Sequence, residues 1–163
     1  DQPRKTWELL ADRRAAVRIA GVKSVMELPP GDKRLTAMRS VIIAKVGQGL
    51  AERIDQWHDA AWQPGAPPRD QADEIVAHLQ HNDLAVRQFA VSSLELYTMT
   101  ALMKMGMTPP AYDATATDAR RGAAQLQWRE VIQQLYNPNR KFPGGLTPRL
   151  QNALQKNAVQ GGT

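Results

Sequence analysis

Asp83-Leu84-Ala85-Val86-Arg87-Gln88-Phe89-Ala90 is the stretch on which the fold turns. Its acidic first residue can cap a helix, and Val86, Phe89 and Ala90 follow at the three-and-four spacing of one helical face. The same arrangement stands 69 residues earlier: Leu10, Ala16, Val17, Arg18, Val22 and Ser24 fall on Leu79, Ala85, Val86, Arg87, Val91 and Ser93. Both copies read as an apolar residue, a short polar turn, Val-Arg, then a small residue three on and large apolar residues seven and ten on from the arginine. Those positions hold Gly21, Val25 and Leu28 in one copy and Ala90, Leu94 and Tyr97 in the other. The small residue lets two helices approach closely, and the apolar positions bury against a neighbour. The arginine can reach a carboxylate or carbonyls of the adjacent unit, so Arg18 and Arg87 are assigned to structure rather than to a ligand.

Outward from this repeat the helical period persists, and β-branched alternation over four or more residues is hard to find, so the expectation is an all-α fold. A short helix covers about Arg4 to Ala11 with Trp7 and Leu10 inward, and a second runs from about Arg14 to Leu28. Pro29, Pro30 and Gly31 stop it, since proline lacks the helical donor, and Asp32 can cap the next start. From Lys33 a single stripe through Met38, Ile42, Ile54 and Trp57 predicts one long helix to about Ala60, with a bend or break at Gly47 to Gly49 as the alternative. Gln63 to Pro68 is too rich in proline for regular structure. Beyond it, Arg69 to Leu79 and Asp83 to about Thr98 form an antiparallel pair joined by Gln80-His81-Asn82, and a last helix covers about Thr117 to Tyr136. One domain over residues 1–136 is the result. Residues 137–163 are a Pro/Gly-rich tail in which Thr147-Pro148 reads as a cap for a short docking helix to about Lys156.

Composition bounds the chemistry. The chain has 163 residues, 42% of them apolar, with 21 Lys+Arg against 16 Asp+Glu and no cysteine. A domain of this size buries about 70% of its unfolded surface, enough for a core without disulfides. Without cysteine, thiolate catalysis, Cys-ligated zinc and disulfide frameworks are excluded. There is no apolar run of about 18 residues to span a bilayer, and the compartment is left open. The chain opens at Asp1 with neither a methionine nor a signal-peptide pattern, and so reads as part of something longer.

With these residues in view, the chain resembles HEAT-like (armadillo-like) helical repeat proteins, whose second helix opens with an acidic-x-x-Val-Arg-x-x-Ala pattern. Asp83 to Ala90 fits it closely. Asp12 to Arg18 fits less well, with its acidic residue further upstream and Gly21 in place of the alanine. The continuation Tyr112-Asp113-Ala114, then Arg120, Ala123 and Trp128-Arg129, is similar to the segment after such a repeat in bacterial, planctomycete-type proteins of unassigned function. The resemblance covers roughly Ile75 to Ile132 well. It implies a HEAT-like right-handed stack of antiparallel helix pairs, six or seven helices in all, that presents a concave surface to a protein or, in some branches, to nucleic acid.

Spacing singles out a few candidate sites. Glu74, His78 and His81 share a helical face at metal-ligand spacing, yet His81 falls in a turn, and no metal or cofactor is expected. Met99, Met103, Met105 and Met107 read as core filling, with a docking patch or soft copper(I) binding as the alternatives. The serines lie inside helices and none occupies a nucleophile turn, and Gly47-Gln48-Gly49 lacks the lysine of a phosphate loop. The expectation is therefore a non-catalytic module. Residues 1–53 hold 11 Lys+Arg and 6 Asp+Glu, while 54–163 hold 10 of each, so the whole excess sits in the N-terminal third. Arg13, Arg14, Lys33, Arg34 and Arg39 could form a basic face for phosphates or an acidic partner. Trp57 and Trp128 fall on apolar stripes; Trp62, beside the proline stretch, is the candidate exposed anchor. The principal reading is a protein-interaction scaffold with an unidentified protein partner, and the alternative is a nucleic-acid-binding repeat domain.

Overall fold

The computed structural model describes residues 6–63 and 67–136. Among these residues the chain is all-helical with no strand. A turn of 3-10 helix, Thr6–Ala11, precedes α1 (Ala15–Met26); α2 (Lys33–Val46) and α3 (Gln48–Ala61) follow. Next come α4 (Arg69–Ala77), which tightens into 3-10 geometry over His78–Gln80, then α5 (Leu84–Lys104) and α6 (Asp118–Tyr136). The tail with its Thr147-Pro148 cap, the Trp7 side chain and the middle of the proline stretch lie outside the described residues.

The repeat seen in the sequence is a repeat in space. Each copy is a 3-10 turn followed by a longer helix, and the turn Thr6–Ala11 falls 69 residues before the segment 75–80. α1 packs on its own turn and on α5, the corresponding helix of the second copy. Gly21 shows why that position must be small, because a Cβ there would come within 2.8 Å of Leu9 Cβ. Ala90, its counterpart, is wholly buried. α5 is the central helix, with every residue from Leu84 to Leu94 buried, and Asp83 caps it by accepting from the backbone N–H groups of Ala85 and Val86.

The expected single helix over 33–60 is instead two helices that double back on each other. Gly47 sits at φ 86°, ψ 163° and serves as the end of α2 and the cap of α3 at once. In a straight helix Arg39 and Asp55 would stand roughly 24 Å apart at 1.5 Å per residue. Their ion pair is 3.0 Å long. The reversal lets Met38 and Ile42 from one arm and Ile54 and Trp57 from the other share one core, which a straight helix of that length could not do. α5 also outruns its sequence-based end, continuing past Thr98 to Lys104.

Hydrogen bonds fix the two ends of the bundle. At one end Lys45 Nζ donates to Leu10 O at 3.0 Å and pairs with Asp83 at 3.4 Å. At the other, His58 Nε2 donates to Leu28 O at 2.8 Å, and the Tyr97 hydroxyl donates to Trp57 O. α6 runs antiparallel to α4, with Gln125 Nε2 donating to Val76 O at 2.9 Å and the Tyr136 hydroxyl donating to Pro67 O.

Candidate functional site

The repeat arginines are structural clamps. Arg18 Nη1 donates to the carbonyls of Asp12 (2.7 Å) and Arg13 (3.0 Å), six and five residues back. Arg87 Nη1 does the same to His81 (2.6 Å) and Asn82 (2.8 Å), and its Nε adds a bond to Ala114 O at 2.9 Å. A third clamp escaped the sequence reading. Arg121 Nη1 donates to Ala116 O, again five residues back, and its other nitrogen pairs with Asp118. Arg121 is the fourth residue of α6, as Arg18 and Arg87 are of α1 and α5. Ala124, Trp128 and Val131 stand three, seven and ten residues on from it, all buried. The signal was present in that spacing but masked, because Arg120 stands where the other copies have valine.

The five basic candidates do not form one face. Arg13 and Arg14 precede α1, at the end where Lys45 meets Leu10, whereas Lys33 and Arg34 open α2 and so lie roughly 18 Å away along that helix at 1.5 Å per residue. Three of the five are also engaged by neighbouring carboxylates. Arg14 binds Asp12 (3.0 Å), Arg34 binds Asp32 (2.7 Å), and Arg39 binds Asp55 (3.0 Å) and Glu52 (3.7 Å). The Arg34 pairing holds the Asp32 carboxyl down at about 2. Arg13 and Lys33 have no ion pair among the described residues. A small polar cleft of about 180 Å³ between α2 and α3 joins Arg39, Asp55, His58 and Asp59. Burial raises the Asp55 carboxyl while Arg39 opposes that rise.

The Glu74, His78 and His81 trio is spent on local bonding. The Glu74 carboxylate accepts from Arg53 at 2.9 Å, and His78 Nδ1 donates to Glu74 O at 2.9 Å, with its ring edge-on to Trp57. His81 Nδ1 accepts from the Asp83 backbone N–H at 3.0 Å and stacks on His78. Among the described residues no group of three or more His, Cys, Asp or Glu could hold a metal ion. The His81 contact makes the fold acid-sensitive. A proton on Nδ1 must break that bond, and burial, then His78, hold the imidazole below its ordinary value. A depressed folded-state value means full stability above about pH 6.5 and loss as pH falls through the lower folded-state value. Urea midpoints should therefore fall between pH 7 and 5, and His81→Gln should flatten the fall. An equal decline in both proteins would show that His81 is not its source.

The exposed apolar surface concentrates at one end. α3 and α5 run side by side in the same direction from the Lys45–Asp83 contact to the Trp57–Tyr97 contact, and both continue past it. Trp62 caps α3 there, 45% exposed. On α5, Leu96, Met99 and Met103 are 39%, 50% and 72% exposed at the i, i+3, i+7 positions of one stripe. Met105 is exposed as well, while Met107 packs against the core. Core filling thus holds for Met107 alone of these four methionines. Leu96, Met99 and Met103 stand clear because they lie on the face of α5 turned away from the side that buries Thr98 and Leu102. No helix in the described residues is long and apolar enough to cross a membrane. Compared with known proteins, the chain matches no family model, no curated protein and no solved structure.

Proposed function

We propose that this chain is a HEAT-like helical-repeat module that binds a protein partner through the exposed methionine stripe of α5 and performs no chemistry itself. The observation that carries this reading is the exposed stripe Leu96, Met99, Met103, placed at the same end as Trp62. Large exposed apolar groups that cluster mark contact surfaces, and methionine adapts its shape to what it meets. The fold supports the reading too, since stacked helices tied by arginine clamps give a rigid platform.

Immobilised protein should retain a set of proteins that the Met99→Glu/Met103→Glu variant loses, with unchanged melting because both positions are exposed. Identical retention by the two would overturn the reading. In the same buffers a salt titration against short DNA and RNA separates the alternative, a nucleic-acid-binding repeat using Arg13, Arg14, Lys33, Arg34 and Arg39. Weak binding is expected from side chains this dispersed. Tight binding with a steep salt slope, lost in Arg13→Gln/Lys33→Gln, would favour nucleic acid.

A further inference from the structure

The chain has six methionines and no cysteine, so thioethers are its only side-chain sulfur. The fold sorts them into two groups. Met26 and Met38 are buried in the core at 5% and 2% exposure, and Met107 packs against that core, its backbone N–H donating to Leu102 O at 2.8 Å. Met99, Met103 and Met105 are instead exposed at 50%, 72% and 43%, and all three fall in the last turns of α5 or at its C-cap. Thr98 and Leu102, one residue before Met99 and Met103, are both 1% exposed, so the stripe and the packed face of the helix are separate surfaces. A change confined to the sulfur atoms of the stripe therefore leaves the core contacts of α5 in place.

We propose that Met99, Met103 and Met105 form a site of reversible oxidation by peroxide, and that their conversion to sulfoxides switches off docking at this surface. The switch rests on the partner-binding reading above; the site of oxidation does not. In the oxidising step a thioether lone pair attacks one oxygen of hydrogen peroxide, and the S–O bond forms as the O–O bond breaks. The departing hydroxide takes the proton of the transferred oxygen and leaves as water, so sulfur loses two electrons and the peroxide gains them. The step needs access to sulfur, which the three exposed methionines give and Met26 and Met38 deny, and no thiolate competes for the oxidant. Its product is a polar, chiral side chain with an acceptor oxygen. On the free protein that oxygen stays hydrated, whereas an apolar partner laid over it strips its water. Each sulfoxide should weaken the contact on the order of ten-fold. Exposure also permits reversal, because methionine sulfoxide reductases, one for each epimer, must reach the same sulfur. There a dithiol supplies the two electrons, becoming a disulfide as the sulfoxide oxygen leaves as water.

The test uses the full chain, treated briefly with hydrogen peroxide and mapped by mass spectrometry. Met99, Met103 and Met105 should each gain one oxygen on the order of ten-fold faster than Met26 and Met38, because buried groups react only through the open population. The melting temperature of the product should be unchanged. Similar rates at the buried and exposed methionines, or a melting temperature that falls as the exposed three react, would overturn the site. Immobilised oxidised protein should lose the proteins that the untreated chain retains and Met99→Glu/Met103→Glu loses, and the two reductases with dithiothreitol should restore them. A loss that the reductases fail to reverse would overturn the switch and place the damage elsewhere, as at the exposed Trp62. Retention that survives oxidation of all three methionines while the glutamate variant loses it would also overturn the switch and leave the docking surface standing. Identical retention by untreated, oxidised and glutamate-substituted protein would overturn both.

Discussion

Arg87→Ala is expected to lower unfolding free energy by about 3 kcal/mol, since it removes three charge-assisted hydrogen bonds and leaves the buried Ala114 carbonyl without that donor. The three acceptors lie on two segments. His81 and Asn82 belong to the turn before α5, and Ala114 belongs to the loop before α6. One guanidinium therefore ties the second copy of the repeat to the third, and its loss loosens both. At roughly 2–4 °C per kcal/mol for a chain of this size, the melting temperature should fall on the order of 10 °C. Arg87→Lys should recover part of that loss, because a single ammonium cannot span acceptors that the planar fork reaches from two nitrogens. Arg18→Ala is the internal control: it carries two carbonyl bonds and no bond to another repeat unit, so its cost should be smaller. Equal melting of wild type and Arg87→Ala would remove the clamp from the account of the fold.

Trp128→Ala should cost more, about 4 kcal/mol, through lost burial and the cavity left behind. Trp128 is fully buried on α6 and belongs to the same core cluster as Ile75 of α4 and Phe89 of α5. α6 docks mainly against α4 and its 3-10 extension, so few other contacts can compensate. Trp128→Phe separates hydrocarbon from hydrogen bonding. The indole Nε1 is buried without a partner among the described residues, so replacing it forfeits no bond and relieves an unsatisfied donor. The phenylalanine variant should therefore melt much closer to wild type than the alanine variant. Were the two equally destabilised, the indole nitrogen would be bonded and the packing account would be at fault.

Helix type and repeat were legible because each rested on spacing, which the chain carries explicitly. Asp83 and Val86-Arg87 with Ala90, Leu94 and Tyr97 predict a capped helix whose arginine reaches carbonyls of the adjacent unit, and that is what α5 is. Direction of travel was not legible. Gly47 and Gly49 weaken a helix equally whether the chain bends or reverses, and only the positive φ at Gly47 decides for reversal. An earlier reversal, at the turn between α1 and α2, explains the basic candidates. Five charges close along the chain look like a patch, but an antiparallel path sends Arg13 and Arg14 to one end and Lys33 and Arg34 to the other. The methionines differ again. Their exposure depends on which face of α5 the neighbouring helices cover: Thr98 and Leu102 are buried while Met99 and Met103, one residue on from each, are exposed, and that choice of face is made by packing. Arg121 had the right spacing and the wrong neighbour, and so went unread beside Arg120.

The junction at Gly47 also bears on the order in which the chain assembles. Closing α2 on α3 brings together residues such as Arg39 and Asp55, 16 apart in the chain, whereas equivalent positions of α1 and α5 stand 69 apart. By the logarithmic dependence of loop entropy on length, the nearer closure is cheaper by about 1.3 kcal/mol. A turn with no loop residues reduces the local span further, because the glycine itself is the whole connection. Once α2 and α3 are folded together, the stretch between the two copies is no longer a free chain but a short rod doubled on itself. The long-range meeting of α1 with α5 is then made across a pre-formed spacer, which lowers the effective contact order of a fold whose defining repeat is far apart in sequence.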